Sequence, residues 1–153
     1  KSSLYSNTTA ASNTAVGETA MYANTKGAQN TSVGRNSLGA NTTGASNTAV
    51  GYQALLANTT GTLNTAVGNE ALLNNTTGGY NSAFGLAAMN LNTTGATNTA
   101  VGYTALRNTT TGSANVAVGY QALRLNTTAS DFIDINESVL SSDSFLFKYL
   151  SAQ

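Results

Sequence analysis

One spacing governs this chain. Asn-Thr-Ala-Val-Gly, or a close variant, begins at Asn13, Asn30, Asn47, Asn64, Asn81, Asn98 and Asn115, and every interval is 17 residues with no insertion or deletion. The consensus reads N-T-A-V-G-Y-x-A-L-x-x-N-T-T-G-x-x. Its fifth position is glycine in all seven copies: Gly17, Gly34, Gly51, Gly68, Gly85, Gly102 and Gly119. Its ninth is always Leu or Met: Met21, Leu38, Leu55, Leu72, Met89, Leu106 and Leu123. A second glycine closes the NTTG segment from Gly27 to Gly112 and becomes Ala129 in the last copy. A fixed period of this kind is the signature of a stacked repeat architecture.

Seventeen residues are too few for helical-hairpin repeats, which need roughly 33–47. Glycine and asparagine punctuation twice per repeat predicts two short strands and two tight turns. One repeat is then one coil of an all-β, parallel β-solenoid (a β-roll), in which each position stacks on its equivalents at about 4.8 Å. Residues 1–12 read as a partial first coil, 13–131 as seven full repeats and 132–143 as a degenerate terminal coil. In that terminal coil Ile133 and Ile135 take the Thr and Val places. Residues 144–153 form an apolar segment outside the repeat, with the expected role of a cap or assembly strand.

Composition narrows function by exclusion. Asn, Thr, Ala and Gly fill 84 of the 153 positions, while six Lys/Arg balance six Asp/Glu and there is no His, Cys, Trp or Pro. Zinc sites, disulfides, thiolate nucleophiles and imidazole bases fall away together. The charge balance argues against nucleic acid or an anionic membrane as partner, and no stretch reaches the length of an apolar membrane span. No catalytic site and no cofactor or metal site is expected. Asp131, Asp134, Glu137 and Asp143 gather near the end without any Ca²⁺-loop spacing, and a charged cap against further stacking is the better use for them.

Strand alternation assigns roles to the columns. The apolar fourth position, with the second, is expected inside the coil, facing the ninth. The third position then points away: Ala15, Ser32, Ala49, Ala66, Ala83, Ala100 and Ala117. Such small residues imply that another backbone comes close, hence a subunit interface along the rod; duplication history is the alternative. The first-position residues Asn13, Asn30, Asn47, Asn64, Asn81, Asn98 and Asn115 are expected to form an amide ladder. The NTTG turn should hold its glycine in a left-handed conformation and expose its Thr column, Thr25 to Thr127. Asn41, Asn58, Asn75, Asn92, Asn108 and Asn126 fit the N-x-[ST] glycosylation pattern, although turns favour Asn and Thr for their own reasons. Tyr52, Tyr103 and Tyr120, at the sixth position, can stack on carbohydrate or pack against the rod or another chain.

The NTAVGYxAL…NTTG wording resembles the YadA-like head repeats of trimeric autotransporter adhesins, and is more similar still to repeats of phage and bacterial tail-fibre proteins. That resemblance covers residues 1–131 well and 132–143 weakly. It implies a trimeric parallel β-roll serving as the shaft or head of a surface-attached, extracellular fibre, with the chain itself, cell-surface carbohydrate or a protein receptor as partners. The 17-residue period is longer than in many autotransporter heads. A second reading is a homopolymeric filament joined head to tail, since the chain begins mid-coil and ends on an apolar segment. The third is an ice-binding solenoid, which ranks last because the NTT segment falls at a turn.

Overall fold

The computed structural model describes residues 2–135. Each copy contributes one three-residue strand: β1 (Thr14–Val16), β2 (Thr31–Val33), β3 (Thr48–Val50), β4 (Thr65–Val67), β5 (Ser82–Phe84), β6 (Thr99–Val101), β7 (Val116–Val118) and β8 (Ile133–Ile135). They form a single parallel sheet in chain order. Every residue pairs with the one 17 positions on, from Thr14↔Thr31 to Val118↔Ile135. The fold is therefore the expected all-β parallel solenoid. At a strand spacing of about 4.8 Å its eight strands extend roughly 35 Å. The degenerate eighth copy joins in register as far as Ile135; its remainder, and the segment 144–153, lie outside the described residues.

Only one wall of each coil is a strand. The opposite wall, expected to be a second strand, is a run of tight turns. In the third copy Ala54 N–H donates to the Gly51 carbonyl (3.4 Å), Leu56 N–H to Gln53 (3.2 Å) and Asn58 N–H to Leu55 (3.2 Å). Gln53 and Leu55 have φ of +56° and +53°, in the left-handed region and far from extended backbone. The wall still stacks, because Leu55 N–H reaches the Ala71 carbonyl of the next coil (3.0 Å) and Ala57 N–H that of Leu73 (2.9 Å). Coil-to-coil bonding thus satisfies backbone groups that the broken conformation would otherwise strand.

The strand faces the opposite way from the alternation argument. The third position is inside: Ser32, Ala49, Ala66, Ala83, Ala100 and Ala117 are wholly buried, and Ala15 in the first coil is half-buried. They pack with the eighth-position alanines and the ninth-position Leu and Met columns into one core. The second copy shows what meets there. Its third and eighth positions are both serine, and the Ser32 hydroxyl bonds the Ser37 hydroxyl (2.5 Å) and backbone carbonyl (2.9 Å). A second backbone does come close to the small column, but it is the far wall of the same coil. The assignment of Ala15 to Ala117 as a subunit interface is therefore corrected: this column fills the interior. The fourth-position side chains stand outside, with Val16 58% and Ile135 71% exposed.

Asp134 follows the same rule. It occupies the third position, is 8% exposed, and its carboxylate accepts the Leu123 N–H (3.1 Å). In earlier coils that N–H goes to the eighth-position carbonyl of the next coil, as in Leu106 to Ala122 (2.9 Å). The aspartate is thus an internal acceptor, turned into the coil like the rest of its column.

Candidate functional site

The most ordered polar feature is a pair of asparagine columns. The first-position ladder is present: Asn81 N–H donates to the Asn64 side-chain oxygen (3.0 Å), and Asn64 Nδ2 donates to Asn47 Oδ1 (3.2 Å). A second column, at the twelfth position, was not foreseen as a ladder. There Asn41, Asn58, Asn75 and Asn92 each donate Nδ2 to the Oδ1 one coil back at 2.8–2.9 Å. The two columns share an acceptor. Gly61 O, for example, receives Asn58 Nδ2 (3.0 Å) and Asn47 Nδ2 (2.9 Å). The phase-locked asparagines of NTT carried the signal, but the acceptor pattern for glycosylation overlapped it.

That overlap resolves in favour of structure. Asn41, Asn58, Asn75 and Asn92 are fully buried and Asn126 is 5% exposed. Their Nδ2 atoms, the nitrogens a glycan would need, are all donating. Asn108 is half-buried at the eleventh position, displaced one place outward in the sixth copy. Asn41, Asn58, Asn75 and Asn92 are ladder residues and Asn126 closes its own turn through the Ala129 carbonyl, and the reading of these five as glycosylation sites is corrected.

The displacement leaves a defect. Thr109 stands where the ladder needs an asparagine, and its hydroxyl donates to the Asn126 carbonyl instead (3.2 Å). Asn92 Oδ1 is left buried without a partner. An orphaned buried acceptor costs about 1–3 kcal/mol. Thr109→Asn is expected to supply the missing donor and raise the melting temperature by a few degrees, whereas Thr111→Asn, at an exposed turn position, is expected to leave it unchanged. Differential scanning calorimetry of the two variants checks this.

The turn glycines divide into two kinds. The fifth-position column has φ of +131° to +138°. The NTTG glycines are not left-handed, contrary to expectation. They are needed for space, because a Cβ at Gly61 would lie 2.4 Å from Asn58 Oδ1 and 2.5 Å from Gly78 O. The Thr column beside them is half-buried over most of its length, each hydroxyl reaching the next threonine's carbonyl, as Thr59 does Thr76 (3.1 Å).

What faces solvent in an extended, regular array is the outside of the sheet. The second-position column runs Thr14, Thr31, Thr48, Thr65, Ser82, Thr99, Val116, Ile133, and the fourth Val16, Val33, Val50, Val67, Phe84, Val101, Val118, Ile135. Neither column contains a charge. The sixth position forms a second exposed row. Tyr103 and Tyr120 stack at 5.2 Å, and Arg35 lies 5.9 Å from the Tyr52 ring centroid while pairing with Glu18 at 3.4 Å. Both partners of that ion pair are well exposed, so it stabilises little. Among the described residues no three acids or other metal ligands come together, and no helix is long and apolar enough to cross a membrane. No protein-family model, curated protein or solved structure matches the chain.

Proposed function

We propose that this chain is a structural and adhesive segment of an extracellular fibre, without catalytic activity, whose solenoids associate through the outer face of the sheet. The observation that carries this is the uncharged Thr/Val ribbon running the length of the eight strands, with Phe84 41%, Val101 38% and Ile133 67% exposed. An apolar strip of that continuity is more than a solitary soluble rod usually leaves in water. A second copy is the fitting occupant, because an uncharged, regularly spaced ribbon complements another of its kind in a parallel bundle. The tail-fibre resemblance points to three chains.

Native mass measurement tests this. Wild type is expected to be an oligomer, most simply a trimer. Val50→Lys/Val67→Lys, which places two charges on the ribbon and none in the core, is expected to be a folded monomer with unchanged circular dichroism. Long uniform fibres under negative stain, in place of discrete short rods, would favour the head-to-tail filament. A wild type that stays monomeric at high concentration overturns the association. In that event the ice-binding reading gains, since Thr14, Thr31, Thr48, Thr65 and Thr99 stand in register on a strand and not only at turns; thermal hysteresis measures it.

A further inference from the structure

We propose that coils six and seven carry a binding site for an anionic sugar, built on Arg107 and Arg124. This rests on the adhesive reading above and names its ligand class. Seventh and tenth positions flank one tight turn in every coil: Arg107 N–H donates to the Thr104 carbonyl (3.2 Å) and Arg124 N–H to Gln121 (3.0 Å). A turn closed this way brings its end residues within about 7 Å, and adjacent coils lie about 4.8 Å apart. Thr104, Arg107, Gln121 and Arg124 are thereby gathered into one patch. In the first coils the same positions line a shallow groove formed by Thr19, Tyr22, Asn36, Gly39 and Leu56.

Two observations set coils six and seven apart. Two guanidiniums occupy one column on consecutive coils, and among the described residues neither forms an ion pair, the one charged pair being Arg35–Glu18. Like charges so placed repel, and an anion between them removes the repulsion. A guanidinium edge matches a carboxylate or sulfate with two parallel bonds, so the arginine pair suits an oxyanion. Second, the stacked Tyr103–Tyr120 pair, 45% and 51% exposed, belongs to the same two coils. Gln121 Nε2 reaches the Tyr120 hydroxyl (3.3 Å), joining the ring platform to the seventh position of the same turn. Aromatic rings with a polar tip suit the faces of sugar rings. Arginine for the anion beside tyrosine for the ring is the chemistry of an acidic glycan.

The test uses the full chain in its native assembly, with immobilised polygalacturonate (carboxylate), chondroitin sulfate (sulfate and carboxylate) and dextran (neutral). Wild type is expected to bind at least one anionic polymer and to leave dextran. Arg107→Gln/Arg124→Gln is expected to lose about tenfold or more in affinity, the scale of charge-assisted bonds. Arg35→Gln, which also removes a positive charge, is expected to bind as wild type does. Preference between the two anionic polymers identifies the group recognised. Equal binding of dextran, no binding to either anionic polymer, or an equal loss in Arg35→Gln overturns the site. The arginine variants should keep the wild-type native mass, so failure here is separable from failure of the fibre assembly.

Discussion

Gly68→Val is expected to lower the melting temperature by more than 10 °C, while Thr60→Val changes it by a degree or two. Two independent penalties fall on Gly68. Its φ is +138°, a conformation that a β-branched residue adopts only at about 1–3 kcal/mol. Its Cβ would also sit 2.4 Å from the Gly85 carbonyl oxygen and 2.7 Å from the carbonyl carbon. Those are backbone atoms of the next coil, so no side chain can swing aside. Relief requires coils four and five to separate, which breaks the bond from Leu72 N–H to Ala88 O (3.0 Å) and the Thr65↔Ser82 register beside it. In a stacked repeat each coil is held by its neighbours alone, so a central wedge divides the rod into two shorter stacks. Thr60 is exposed and has room for valine. Thermal unfolding followed by circular dichroism measures both variants; equal melting temperatures would remove glycine at the fifth position from any structural role.

The period made the coil, the parallel register and, among the described residues, the absence of helix legible, because one 17-residue interval admits few stacks. The inside and outside of the strand were not legible from hydrophobicity. Val50 and Val67 are the more apolar side chains, yet Ala49 and Ala66 lie in the core. The reason is width: the Ser32–Ser37 contact shows a side chain on the strand touching the backbone of the opposite wall, and in the seven full repeats only Ala or Ser occupies that gap. Size was the better guide to facing than polarity, and the paired change to serine at Ser32 and Ser37 was its trace. The turn wall was hidden for another reason. Leucine at φ near +50° runs against its intrinsic preference, and it is held there by burial of its side chain in the core and by bonds within the turn and to the neighbouring coils. The arginine patch was invisible because the repeat treats the tenth position as variable, and the tight turn that brings it beside the seventh is a property of the folded coil.

Asn64→Leu is the complementary experiment, since it keeps the heavy-atom count and branching of the side chain while removing its polarity. Asn64 donates Nδ2 to Gly78 O (2.8 Å) and to Asn47 Oδ1 (3.2 Å), and its Oδ1 accepts Asn81 N–H (3.0 Å). Leucine deprives Asn81 N–H of its acceptor in a buried position. Gly78 O keeps one donor, Asn75 Nδ2 (3.0 Å), and Asn47 Oδ1 keeps the backbone N–H of residue 64 (3.0 Å). One orphaned donor and two lost bonds amount to about 3 kcal/mol, offset in part by burying the leucine side chain. A fall on the order of 10 °C follows for a chain of this size. Asn64→Asp is expected to be worse at neutral pH. It keeps the acceptor for Asn81 N–H but turns a second carboxylate oxygen toward two acceptors, Gly78 O and Asn47 Oδ1, with no cation nearby to compensate. Asp is nearly isosteric with Asn, so its loss isolates the hydrogen bonds, while the bulkier Leu adds overpacking to theirs. If Asn64→Leu melts with wild type, the asparagine columns are inherited by duplication and contribute nothing to the stack, and the orphaned Asn92 Oδ1 loses its significance with them.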